Sequence, residues 1–74
     1  MSRIEQLNQE IALHPDDEAL WTERGSLYWK LQDWSRCLSD FDRAIALCPD
    51  GSAAHLKQSA MDIISFYNKD QYNP

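Results

Sequence analysis

Apolar residues recur at helical spacing in four stretches of the chain, parted by three short polar breaks. Ile4, Leu7, Ile11 and Leu13 mark the first stretch, which His14-Pro15 ends because the residue before a proline avoids helical backbone. Ser2 and Glu5 form the capping-box pair at its start. Asp16 or Asp17 caps the second, with the stripe Leu20, Trp21, Leu27, Tyr28 and Leu31. Asp33 caps the third, whose stripe is Trp34, Cys37, Leu38, Phe41, Ala44, Ile45 and Leu47. Cys48-Pro49-Asp50-Gly51 breaks the chain again, and Ser52 opens a fourth run through Leu56, Ala60, Ile63 and Tyr67. No stretch alternates with the period of a strand. The pattern predicts an all-α domain over 1–74 with helices at 2–14, 17–31, 34–47 and 52–68, then a tail at 69–74.

The segment Ile11-Ala12-Leu13-His14-Pro15-Asp16 returns 34 residues later as Ile45-Ala46-Leu47-Cys48-Pro49-Asp50, with five of six positions identical. A fixed period means one unit used repeatedly, burying its apolar faces against neighbouring copies. Trp21, Arg24-Gly25, Tyr28, Cys37, Phe41, Ala44 and Pro49 stand at the spacing of the tetratricopeptide repeat signature, and the chain resembles that family from Glu18 to Gly51. Arg24 departs from it, standing where leucine is usual, and its aliphatic stem is expected along the core. Residues 2–15 resemble the second helix of a preceding unit, with Leu7 and Glu10 at the places of Phe41 and Ala44. Glu10 there predicts an edge helix with little packed on one side. The resemblance implies antiparallel helix-turn-helix pairs, a protein-binding role and no catalysis.

The fourth helix leaves the 34-residue register. Counting 34 on from Leu20, Leu27 and Leu31 gives Ala54, Met61 and Ser65, whereas counting 36 gives the apolar set Leu56, Ile63 and Tyr67, with Ala60 between them. Burial of about 1.5–3 kcal/mol per large side chain favours the second register. In tetratricopeptide arrays the first helix of each pair lines the concave side. The resemblance therefore implies binding residues Thr22, Ser26, Trp29 and Lys30 on the second helix, and His55, Asp62 and Phe66 on the fourth. Trp29 lies about 180° around the helix from Leu20, Leu27 and Leu31. Two readings account for it: an aromatic anchor for a partner, or a side chain covered by the tail, which has three aromatics between Phe66 and Tyr72. Thr22 and Ser26 occupy places where some family members carry Lys, Arg or Asn to grip a terminal carboxylate, so that clamp is absent.

Charge narrows the partners. Twelve acidic against seven basic residues give a net charge of −5, which argues against nucleic acid and an anionic membrane surface. Cys37 and Cys48 are 11 positions apart in one helix, too far for a disulfide. Two buried thiols and an N-terminus without a signal-peptide core predict a reducing, cytoplasmic setting, with export after loss of a leader as the alternative. His14, Cys48, His55 and Cys37 lack metal-ligand spacing, and no phosphate loop or nucleophile elbow is present. These readings lead to a non-enzymatic, cofactor-free module that binds a peptide or protein between helices two and four. The alternative is a self-assembly unit, a homo-oligomer stacked through its repeat ends.

Overall fold

The computed structural model describes residues 2–68, and side chains as far as Phe66. The predicted tail at 69–74 and the side chain of Tyr67 lie outside the described residues. Four helices follow one another: α1 (Arg3–Leu13), α2 (Glu18–Lys30), α3 (Trp34–Leu47) and α4 (Ala53–Asn68). The architecture is all-α, with the main contacts between chain neighbours and the largest interface between α2 and α3.

Local chemistry sets the boundaries. Ser2 Oγ accepts from the Glu5 N–H at 3.1 Å, Asp17 Oδ1 from Ala19 at 3.1 Å, and Asp33 Oδ1 from Arg36 at 3.3 Å. Each satisfies an amide that a helix start leaves without a partner. Trp21 Nε1 donates to the Pro15 carbonyl at 2.9 Å and ties α2 to the turn before it. At the α2 end, Gln32 adopts φ 59°, its N–H reaching Trp29 O and the Asp33 N–H reaching Tyr28 O. This is a Schellman closure built on a glutamine where glycine is the usual choice.

The core joins α2, α3 and α4. Cys37, Phe41, Ala44, Ala53 and Ala60 are fully buried, with Trp21, Tyr28, Trp29, Trp34, Leu38, Ile45 and Leu56 packed around them. Leu7 and Ile11 are the buried residues of α1. Gly25 is required for the closest approach, because a Cβ there would stand 2.7 Å from Phe41 Cε1.

Several expectations change. The inward face of α2 is Trp21, Gly25, Tyr28 and Trp29, while Leu31, expected in the stripe, is 65 % exposed. α2 carries apolar side chains all round, so periodicity alone does not choose its core face. Trp29 is consequently half-buried against the core, while the tail, the other candidate to cover it, lies outside the described residues. It meets Trp34 edge-on at 5.6 Å and Phe41 at 6.3 Å between ring centroids. The repeat offset is also smaller than expected: α2 begins at Glu18 and α4 at Ala53, 35 residues on. On that count Trp21, Gly25, Tyr28 and Trp29 map to Leu56, Ala60, Ile63 and Ile64, all of them buried or half-buried. Finally, Cys48 is half-buried and Leu13, the last residue of the α1 stripe, is 75 % exposed.

Candidate functional site

The expected binding residues fall into three environments. The Thr22 hydroxyl donates to the Glu18 carbonyl at 2.9 Å, and the Ser26 hydroxyl donates to the Thr22 carbonyl at 3.0 Å, so both are engaged with their own helix. Trp29 faces the core. Lys30 sits beside α1, where it edges an open apolar hollow of about 340 Å³ with Ser2, Arg3, Ile4, Leu27 and Leu31. On α4, His55, Asp62 and Phe66 are exposed, and Asp62 accepts from Gln58 Nε2 at 3.0 Å. A second, smaller apolar hollow of about 170 Å³ lies between α3 and α4, lined by Leu38, Met61, Ile64 and Ser65.

The best-organised polar cluster lies elsewhere, on the side of α2 and α3 that faces α1. Arg24 grips Asp40 at two points, Nε to Oδ2 at 2.9 Å and Nη2 to Oδ1 at 2.8 Å, and its Nη1 donates to Asn8 Oδ1 at 2.8 Å. Three helices meet through one guanidinium. Asp40 is only 3 % exposed, and the Asp40 hydrogen bonds hold the Arg24 guanidinium above its ordinary range despite the opposing effect of burial. Arg24 also stacks on Trp21 at 5.0 Å and Tyr28 at 6.0 Å. Arg43 covers Trp21 from 5.7 Å and Arg36 covers Tyr28 from 5.8 Å. The result is an alternating ladder, Arg43, Trp21, Arg24, Tyr28, Arg36. An open cleft of about 390 Å³ borders it, lined by Asn8, Arg24, Tyr28, Arg36, Ser39 and Asp40.

Sequence reasoning passed over this cluster because its members are 16 positions apart and belong to residue types usually found on surfaces. The available signal was the conjunction of Arg24 at a leucine place with Asp40 beside the core residue Phe41. Glu10 makes only an ion-pair contact, its Oε2 3.4 Å from Arg3 Nη1 and without a hydrogen bond, whereas Arg3 binds Glu23 through Nε at 2.6 Å. Charges, not bare apolar surface, cover that part of α1.

Burial raises the Cys37 thiol to about 11, with Asp40 and Asp33 adding to the effect, which makes it a poor nucleophile at neutral pH. Among the described residues no group of three or more His, Cys, Asp or Glu is placed to hold a metal ion. No helix among them is long and apolar enough to cross a membrane.

No protein-family model matches the chain, and no curated protein or solved structure does. The tetratricopeptide resemblance stands on the residues alone.

Proposed function

We propose that the chain is a protein-interaction module of the tetratricopeptide type, holding a peptide or protein segment against α2 and α4. One observation carries this reading. Of the four large apolar side chains exposed among the described residues, Leu31 closes α2, and Met61 and Phe66 belong to α4. Exposed apolar surface bordered by polar groups is typical of docking faces. Lys30 stands beside Leu31, Thr22 and Ser26 are further polar groups of α2, and His55 and Asp62 are exposed polar groups of α4. The reading is non-enzymatic and needs no cofactor, and two unpaired thiols fit a reducing, cytoplasmic setting.

Selection of a random peptide library on the folded chain, followed by amide shift mapping of enriched peptides, tests it. Shifts clustered on Lys30, His55, Asp62 and Phe66 are expected. Failure to enrich any peptide, or shifts confined to α1 and α3, would remove the reading.

A second reading, stacking on further copies, is favoured by the two apolar hollows, one between α1 and α2 and the other between α3 and α4. It predicts a solution mass that rises with concentration and falls back when Leu31→Glu or Met61→Glu is introduced.

A further inference from the structure

We propose that the cleft bounded by α1, α2 and α3, together with the exposed Arg43 beyond its lining on α3, is a separate site for an acidic peptide segment, with Arg36 and Arg43 receiving two carboxylates and Asn8 assisting at the first. The case rests on a count of donors and acceptors. The one carboxylate lining the cleft, Asp40, is withdrawn from a ligand, since both of its oxygens accept from Arg24 and the residue is nearly sealed from water. An arginine N–H can only donate, so the Asn8 atom facing Arg24 Nη1 must be its oxygen, and the two amide N–H donors point elsewhere. The Tyr28 and Ser39 hydroxyls add two groups able to donate. Arg36 is the accessible cation, its side chain 70 % exposed and only loosely paired with Asp33 at 3.6 Å. A surface rich in donors and short of free acceptors selects a ligand rich in acceptors, and with Arg43 beside the cleft three guanidiniums face two carboxylates, Asp40 and Asp33, which makes that ligand an anion.

Geometry narrows the anion to a chain with two charges. Arg36 and Arg43 are both exposed and two turns apart on α3, which places them about 10 Å from each other along the helix. Acidic side chains three residues apart on a peptide in the polyproline II conformation share one face and lie about 9 Å apart, a similar length. Each guanidinium is already steadied against an aromatic ring, Arg36 on Tyr28 and Arg43 on Trp21. Less side-chain freedom is therefore lost when a carboxylate arrives. The Arg24–Asp40 pair positions the rings and does not itself take the ligand. The site lies apart from the α2 and α4 residues assigned above, so either can fail without the other.

The test is a titration of the full chain with the peptide Ac-Glu-Ala-Ala-Glu-NH2, following arginine Nε–Hε and asparagine side-chain signals by NMR. Saturable shifts at Arg36, Arg43 and Asn8 are expected, weakened by added salt and absent with the matching Gln peptide. Arg36→Gln and Arg43→Gln, both at exposed positions, should each weaken binding about threefold to fivefold, as expected for one exposed ion pair. Equal shifts from the Gln peptide, shifts at Arg3, Lys30 or Lys57 instead, or unchanged affinity in both variants would overturn the proposal.

Discussion

Arg24 of α2 and Asp40 of α3 are joined by two short hydrogen bonds, 2.9 and 2.8 Å, at the largest helix interface of the molecule. Asp40 is nearly sealed from water, so removing its partner strands a carboxylate, a change that typically costs about 3 kcal/mol. Arg24→Leu is therefore expected to destabilise. Arg24→Leu combined with Asp40→Leu should recover most of the loss. Urea unfolding of the two single variants and the double variant measures the coupling. A coupling below about 0.5 kcal/mol would show that the pair acts as two independent groups.

Gly25 gives a second test at the same interface. Alanine normally gains up to about 1 kcal/mol over glycine inside a helix. Here the new Cβ would stand 2.7 and 2.8 Å from two Phe41 ring carbons and 3.2 Å from Asp40 Cβ. Phe41 is fully buried, so its ring can yield only by displacing other core side chains. Overpacking of about 1–3 kcal/mol should outweigh the propensity gain. Gly25→Ala is thus expected to lower the unfolding midpoint, and adding Phe41→Leu should return part of it. A midpoint that rises in the single variant would mean that α2 and α3 separate easily.

The helix boundaries were legible because caps and breaks are local: Ser2, Asp17 and Asp33 act within three residues of themselves. The stripe of α4 was legible for the same reason, as Leu56, Ala60 and Ile63 differ sharply from Gln58 and Asp62 around them. The inward face of α2 was not. Its apolar residues cover more than one side, and the choice of Trp29 over Leu31 depends on Phe41 and Trp34, which arrive from another helix. The Arg24 cluster is tertiary in the same sense. Neither Asn8 nor Asp40 reads as a partner until α1 and α3 are placed against α2.

The cysteines should separate in reactivity. Cys37 is fully buried and its thiol is raised to about 11, mainly by burial, whereas Cys48 is half-buried. At pH 8 an aromatic disulfide reagent should modify Cys48 first and reach Cys37 only when the chain opens. Cys48→Ser should then leave a single slow phase that urea accelerates. The sign of the pH effect follows from the same shift. The folded state favours the protonated thiol, so its contribution to stability is complete below the ordinary value of 9.0 and is lost as pH rises towards about 11. Cys37→Ala should flatten the fall in stability over that alkaline range. Equal rates for the two thiols in the folded chain would contradict the core placement of Cys37.

Glu23 predicts an opposite dependence at acid pH. Its carboxyl is lowered from 4.5, chiefly by the hydrogen bond from Arg3. A depressed carboxyl contributes stability above its unfolded value and loses it as pH falls through the folded one. Both side chains are 44 % exposed, so the effect should be small and screened by salt. Glu23→Gln is expected to unfold slightly earlier than the parent chain at pH 7 and low salt. The difference should vanish in strongly acid solution, where the parent carboxyl is protonated as well. A difference that persists there would assign the effect to packing of the side chain and not to its charge.

Gln32 carries the most direct opportunity for stabilisation. Its φ of 59° lies in the left-handed region, which a residue with a Cβ enters at a cost of about 1 kcal/mol or more. The conformation is enforced from both sides. The Gln32 N–H bonds to Trp29 O at 2.9 Å, and the Asp33 N–H bonds to Tyr28 O at 3.0 Å while the Asp33 side chain caps α3. Glycine satisfies the same hydrogen bonds without the Cβ contact, although its unfolded chain is more disordered and returns part of the gain. Gln32→Gly should therefore raise stability by up to about 1 kcal/mol, read as a higher urea midpoint with an unchanged slope. Gln32→Val, branched at Cβ and least tolerant of positive φ, should move the midpoint the other way. If both substitutions leave the midpoint where it was, the turn between α2 and α3 is not held in this closure in solution.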